Sequence, residues 1–171
     1  MDPNILKLIE KGDDNQTFSM LLSVIKDLKN RGVVLYQQKD IINSFNAFSQ
    51  ALKLAIPVEV KFNQNESEIV CVVASLYNNL AACHLERNNY HQVVELCDQV
   101  IVRNPNDIKA VYRKSSALMG LANYPAALQC LEIGLRLDPT NKALRNLMLM
   151  TNNVLKQQDE TMAQGMRKYF K

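Results

Sequence analysis

Asn106–Tyr124, NDIKAVYRKSSALMGLANY, is the stretch that decides the fold, because the chain upstream echoes it. Moving back 34 residues places Tyr124 on Tyr90, Pro139 on Pro105 and Arg113 on Asn79. Ala122-Asn123-Tyr124 then lies over Asn88-Asn89-Tyr90. A fixed period of this length is the mark of a stacked helix-hairpin repeat, in which no unit can bury its apolar face alone. Within the same stretch Lys109 and Arg113 are one helical turn apart, so two cations project from one face.

Outward from this ruler, one hairpin is expected over Ala74–Asp107 and the next over Ile108–Asn141. Each second helix should end at Asn-Pro or Asp-Pro, since proline lacks the amide needed to continue it. Upstream, Phe18, Leu21, Leu22, Ile25, Leu28, Gly32 and Leu35 recur at helical spacing, with Thr17 as the N-cap. That helix is expected to stop near Lys39-Asp40. A second runs from Ile42 to Ile56 and ends at Pro57, with Phe45, Phe48, Ala51 and Leu52 inward. Gly32, set within the pattern, marks a close approach of two helices.

The first repeat covers about residues 25–58 and is separated from the second by an insertion, 59–73. Ser67 is the candidate N-cap of a helix extended backwards through Ile69–Val73, and the rest of the insertion reads as a polar loop. Residues 1–16 form an N-terminal segment with an apolar cluster, Ile5, Leu6, Leu8 and Ile9. Residues 142–171 read as one long helix that covers the last repeat and then projects.

Composition narrows the function. Twenty basic and 17 acidic side chains leave a net charge of +3, too mild for a dedicated nucleic-acid binder. The four cysteines, Cys71, Cys83, Cys97 and Cys130, include no C-x-x-C pair, so zinc and dithiol chemistry are not expected; they read as small buried hydrophobes. No secretory leader and no apolar run of membrane-spanning length is seen, which points to a cytoplasmic protein, with the nucleus also open. No phosphate loop, nucleophile elbow or HExxH is present, so neither an enzyme nor a cofactor is expected. His84, on a first-helix core position, and His91, beside a turn, suit packing and surface roles.

The period, the turn tyrosine and the closing proline resemble the tetratricopeptide repeat (TPR). Matching positions are Tyr77, Leu80, Ala81, Tyr90, Val93, Val100 and Pro105, then Val111, Ser115, Leu118, Tyr124, Ala127, Gly134 and Pro139. The first repeat keeps Leu28, Gly32, Leu35, Phe48 and Ala51 but has Ile41 in place of tyrosine. The resemblance implies an all-α, right-handed superhelix of three hairpins closed by a capping helix. KNRGVVLYQQKD, the insertion, LYNNLAACHLERNNY and the basic-aromatic end KQQDETMAQGMRKYFK are most similar to the C-terminal repeat domain of FK506-binding immunophilins and aryl-hydrocarbon-receptor-interacting-type co-chaperones. The 16 to 24 residues before the first repeat are too few for those immunophilins' prolyl-isomerase domain, so the chain is expected to be a fragment or a stand-alone relative.

Co-chaperones of this kind hold the C-terminal Glu-Glu-Val-Asp of a heat-shock chaperone, of the 90 or the 70 type, in a carboxylate clamp. The resemblance carries that role to Lys29, Asn79, Lys109 and Arg113. The fifth clamp position, an asparagine in the family, is Val33 here, a departure that weakens the site. The types fit the chemistry: arginine grips a carboxylate through two N–H groups, lysine adds point charge, and an amide holds peptide backbone. The competing reading is a structural adaptor that grips another protein through its groove or its last helix, with the clamp altered or lost. Met148, Met150, Met162 and Met166 with Arg167, Lys168 and Lys171 would make that helix a client or calmodulin-like contact.

Overall fold

The computed structural model describes residues 15–62 and 67–169, and seven helices account for nearly all of them. They are α1 (Asn15–Gln37), α2 (Ile41–Phe62), α3 (Ser67–Glu86), α4 (Tyr90–Arg103), α5 (Ile108–Gly120), α6 (Tyr124–Leu137) and α7 (Lys142–Tyr169). Among the described residues there is no strand.

Each helix packs on the next in the chain, and α1 also meets α3, α3 meets α5 and α5 meets α7. The odd-numbered helices therefore form a continuous inner row, with the even-numbered ones behind it. Three core clusters follow one another along the stack. The first gathers Phe18, Ile25, Phe48 and Leu76, the second Ala81, Val93, Cys97 and Ala110, and the third Val111, Leu131, Leu144 and Leu147. Such serial burial makes each repeat depend on its neighbours.

The three turns inside the hairpins are copies of one another. Lys39, Asn88 and Ala122 occupy the same repeat position with φ of 64°, 57° and 57°, the left-handed conformation that ends a helix. The next amide closes each turn: Asp40 donates to the Leu35 carbonyl, Asn89 to His84 and Asn123 to Leu118, at 2.9–3.0 Å. Helices α4 and α6 end at Arg103 and Leu137, immediately before Asn104-Pro105 and Asp138-Pro139. Gly32 is the close approach its position suggests. A Cβ there would lie 2.5 Å from the Phe48 ring, and its carbonyl accepts a bond from Ser44 Oγ at 2.8 Å.

Three sequence expectations are corrected. First, α2 does not stop at Pro57 but runs to Phe62, with the proline inside it. Proline deprives the carbonyl four residues back of its donor, and that residue, Lys53, is exposed, so water can serve it. Burial beyond the proline holds the extra turn: Val58 and Glu59 are buried, and Phe62 lies 5.1 Å from Phe18 between ring centroids. The inserted segment is thus helical over 59–62 and again from Ser67, and a polar loop could lie only at 63–66, outside the described residues along with 1–14. Second, α1 begins by Asn15, so Thr17 lies inside its first turn and does not cap it. Third, α3, with 20 residues, is long and apolar enough by composition to cross a membrane. One face of it, with Ile69, Val73, Leu76 and Leu80, is instead buried against the neighbouring helices.

Thr151 is buried and bonded to the Leu147 carbonyl, and Val154 and Leu155 beyond it are half-buried. From Lys156 to Arg167 every residue except Gly165 is exposed, including Met162 and Met166.

Candidate functional site: the inner groove

Arg113, on the inner face of α5, stands where three hollows of the inner row meet. One, about 240 Å3, lies between α3 and α5 and includes Asn78, Asn79, Asp107 and Lys109. The second, about 160 Å3, lies toward α1 and adds Val33, Tyr36, Phe48 and Ala82 to Asn79 and Arg113. The third, about 310 Å3, runs toward α7 and is mostly apolar, with Leu85, Ile108, Tyr112 and Ala143 beside Lys109. The groove thus offers cations at its centre and largely apolar walls on either side, with one carboxylate, Glu86, in the wall toward α7.

Of the residues expected at a clamp, the structure brings Asn79, Lys109, Arg113 and Val33 together around these hollows. Lys29 lies one turn before Val33 on the same face of α1, half-buried, and lines none of the three. Val33 packs against the first core cluster, so that wall is apolar where an amide would have been polar.

Three cations elsewhere are neutralised by ion pairs, and those of the groove are not, among the described residues. Lys26 pairs with Glu68, Arg103 with Glu59 and Lys114 with Asp98. Among the described residues neither Lys29, Lys109 nor Arg113 has a carboxylate partner. A wider depression of about 620 Å3 beside the start of α1 holds Lys26 with two carboxylates, Asp27 and Glu68, so it offers an anion no net positive charge.

Asn78, which sequence reasoning missed, is buried beneath the groove. Arg113 Nη1 donates to Asn78 Oδ1 at 2.8 Å, and Asn78 Nδ2 donates to Asp107 Oδ2 at 2.9 Å. Asp107 is also the N-cap of α5, its Oδ1 accepting from the Ala110 amide at 2.9 Å. Tyr36, also missed, donates its hydroxyl to Glu86 at 3.1 Å on the rim between two hollows. Burial and the Glu86 carboxylate push that phenol up, while Arg113 nearby pulls it down.

No protein-family model matches the sequence. The chain is 29% identical over 126 residues to the Hsp70/Hsp90 co-chaperone CNS1 of Saccharomyces cerevisiae, an alignment covering 73% of this chain and 30% of that protein. It is 37% identical over 95 residues to human FK506-binding protein-like, covering 56% and 27%. The solved structure of Cns1 from Saccharomyces cerevisiae matches with a TM-score of 0.74 at 25% identity, over 85% of this chain and 44% of that one. The first TPR domain of Spaghetti (RPAP3), bound to the HSP90 peptide SRMEEVD, matches with a TM-score of 0.64 at 16% identity over 78% and 94%. The fold is that of a tetratricopeptide repeat domain.

This repeat domain spans less than a third of the length of the two curated relatives it matches. In such a domain the inner row is the concave wall, which is where Asn79, Lys109 and Arg113 stand. His84 is half-buried in the domain and packs edge-on to Phe45 at 5.3 Å. Burial, with Arg87 nearby, holds its imidazole below the ordinary range. His91 is exposed on the other side of the turn.

Proposed function

We propose that the domain is a non-catalytic co-chaperone-type adaptor whose groove binds the acidic C-terminal tail of a heat-shock chaperone. The observation that carries this reading is the cation pair Lys109–Arg113, free of carboxylate partners among the described residues and beside Asn79 where three hollows meet. A peptide ending in aspartate offers two carboxylates at one residue. Arg113 takes one through paired N–H groups, Lys109 adds charge, and Asn79 holds peptide backbone. Lys29, outside the three hollows, adds charge from α1, and Val33 leaves the set one amide short.

Charge-assisted hydrogen bonds contribute about 1.5–3 kcal/mol each, which after the cost of association supports binding of roughly micromolar strength. The reading is supported by the Hsp70/Hsp90 co-chaperone CNS1 among the relatives and by a structural neighbour bound to a peptide ending in EEVD. A cytoplasmic location, with the nucleus also open, is part of the same proposal.

Calorimetry with a peptide ending in Glu-Glu-Val-Asp tests it. Binding should weaken as salt rises, and should be lost both with the peptide's C-terminal amide and with Arg113→Ala. Equal affinity for the amide and the free acid would refute the carboxylate reading. The alternative, an adaptor gripping another protein through its last helix, is favoured by exposed Met162 and Met166 on α7. A truncation after Lys156 that abolishes partner capture, with tail-peptide affinity unchanged, would identify it.

A further inference from the structure

We propose that Asn78 is a positioning residue for the groove: it aims Arg113 at the ligand, and so divides the work of two adjacent asparagines. The inference rests on the reading of Arg113 as the carboxylate-binding group. Asn78 and Asn79 follow one another on α3, about 100° apart around the helix, so they cannot face the same way. Asn79 lines two of the hollows around Arg113, leaving its amide available to a peptide. Asn78 is only 6% exposed, and its side chain is bonded on both sides.

The bonding fixes the orientation of the amide. Its nitrogen donates to Asp107, a carboxylate that can only accept, so its oxygen must turn the other way. That oxygen receives Arg113 Nη1 at 2.8 Å. Asp107 is itself held, since its second oxygen caps α5 at Ala110. The path runs from the N-terminus of α5 through α3 and back to a side chain one and a half turns along α5. A neutral amide is the partner this position needs: it holds one N–H of the guanidinium without neutralising the charge and leaves the other donors for a ligand. An aspartate at position 78 would supply its own carboxylate to Arg113 and compete with the ligand.

The arrangement lowers the cost of binding by ordering Arg113 beforehand. Removing it should weaken binding about tenfold, the loss expected for one hydrogen bond to a charged group.

The test uses Asn78→Ala and a second variant, Asp107→Ser, which keeps an N-cap oxygen but removes the anchor for Asn78. Two readings are taken: affinity for a peptide ending in Glu-Glu-Val-Asp, and the order of the Arg113 side chain from NMR relaxation of its Nε–H in the free protein. Thermal melts identify any variant that fails to fold. The expected result is that Asn78→Ala frees Arg113 and weakens binding about tenfold, with Asp107→Ser intermediate in both. Weakened binding with Arg113 still ordered would overturn the proposal, because the role would then be structural. So would unchanged order and affinity. If the unaltered protein does not bind the peptide while Asn78→Ala still frees Arg113, the carboxylate reading fails and the positioning of Arg113 by Asn78 stands.

Discussion

Glu59 on α2 and Arg103 on α4 meet through two hydrogen bonds, Nε to Oε1 at 2.8 Å and Nη2 to Oε2 at 2.9 Å. Their side chains are 9% and 18% exposed, so the pair is close to fully buried. The Arg103 guanidinium also lies 5.0 Å from the Tyr77 ring centroid. It is this pair that ties the turn beyond Pro57 to α4. Removing one partner strands the other charge, so Glu59→Ala should cost about 3 kcal/mol in denaturant unfolding. Glu59→Leu with Arg103→Met should recover much of it, because an apolar pair has no charge to desolvate. A Glu59→Ala protein as stable as the parent would show that the extra turn needs no anchor.

Ala122 is in the left-handed region at φ 57°, where a Cβ is unfavourable and glycine is at ease. Ala122→Gly should stabilise the domain by roughly 0.5–1 kcal/mol, the relief of backbone strain exceeding the added freedom of the unfolded chain. A lowered melting temperature would contradict this account of the turn.

Burial lowers the proton affinity of His84 in the folded chain. The unfolded chain therefore binds the extra proton first, and stability falls as pH drops below about 6.5, the ordinary histidine value. Unfolding free energies at pH 7.5 and 5.5 should differ less in His84→Gln than in the parent. Identical pH slopes would assign the acid sensitivity elsewhere.

Cys83, Cys97 and Cys130 are buried as expected, but Cys71 is exposed, which corrects the reading of all four cysteines as buried. Burial pushes the Cys97 thiol up to about 12 and raises the other two as well. A maleimide at pH 7.5 should therefore add once, at Cys71, before any second adduct forms. Rapid double labelling, read by mass spectrometry, would show that the core opens.

Val33 shares a hollow with Asn79 and Arg113. Val33→Asn should strengthen binding of a Glu-Glu-Val-Asp peptide by about 1 kcal/mol, roughly fivefold, by restoring a backbone-directed amide. No gain would mean that the peptide does not approach α1.

The sequence by itself determined the repeat. A 34-residue period fixes which residues share a face, and by itself it sets Asn79, Lys109 and Arg113 side by side. It also located the helix ends at Pro105 and Pro139, where nothing buried lies on the far side to hold another turn. At Pro57 the same local rule failed, because Val58, Glu59 and Phe62 find partners on distant helices. Asn78 escaped notice for the same reason. Its neighbour Asn79 is the same residue type, and only packing decides which amide turns toward Arg113 and which toward the groove. Periodicity is a property of the chain, but the pairing of a buried polar group depends on what another helix brings to it, and only the tertiary structure decides that.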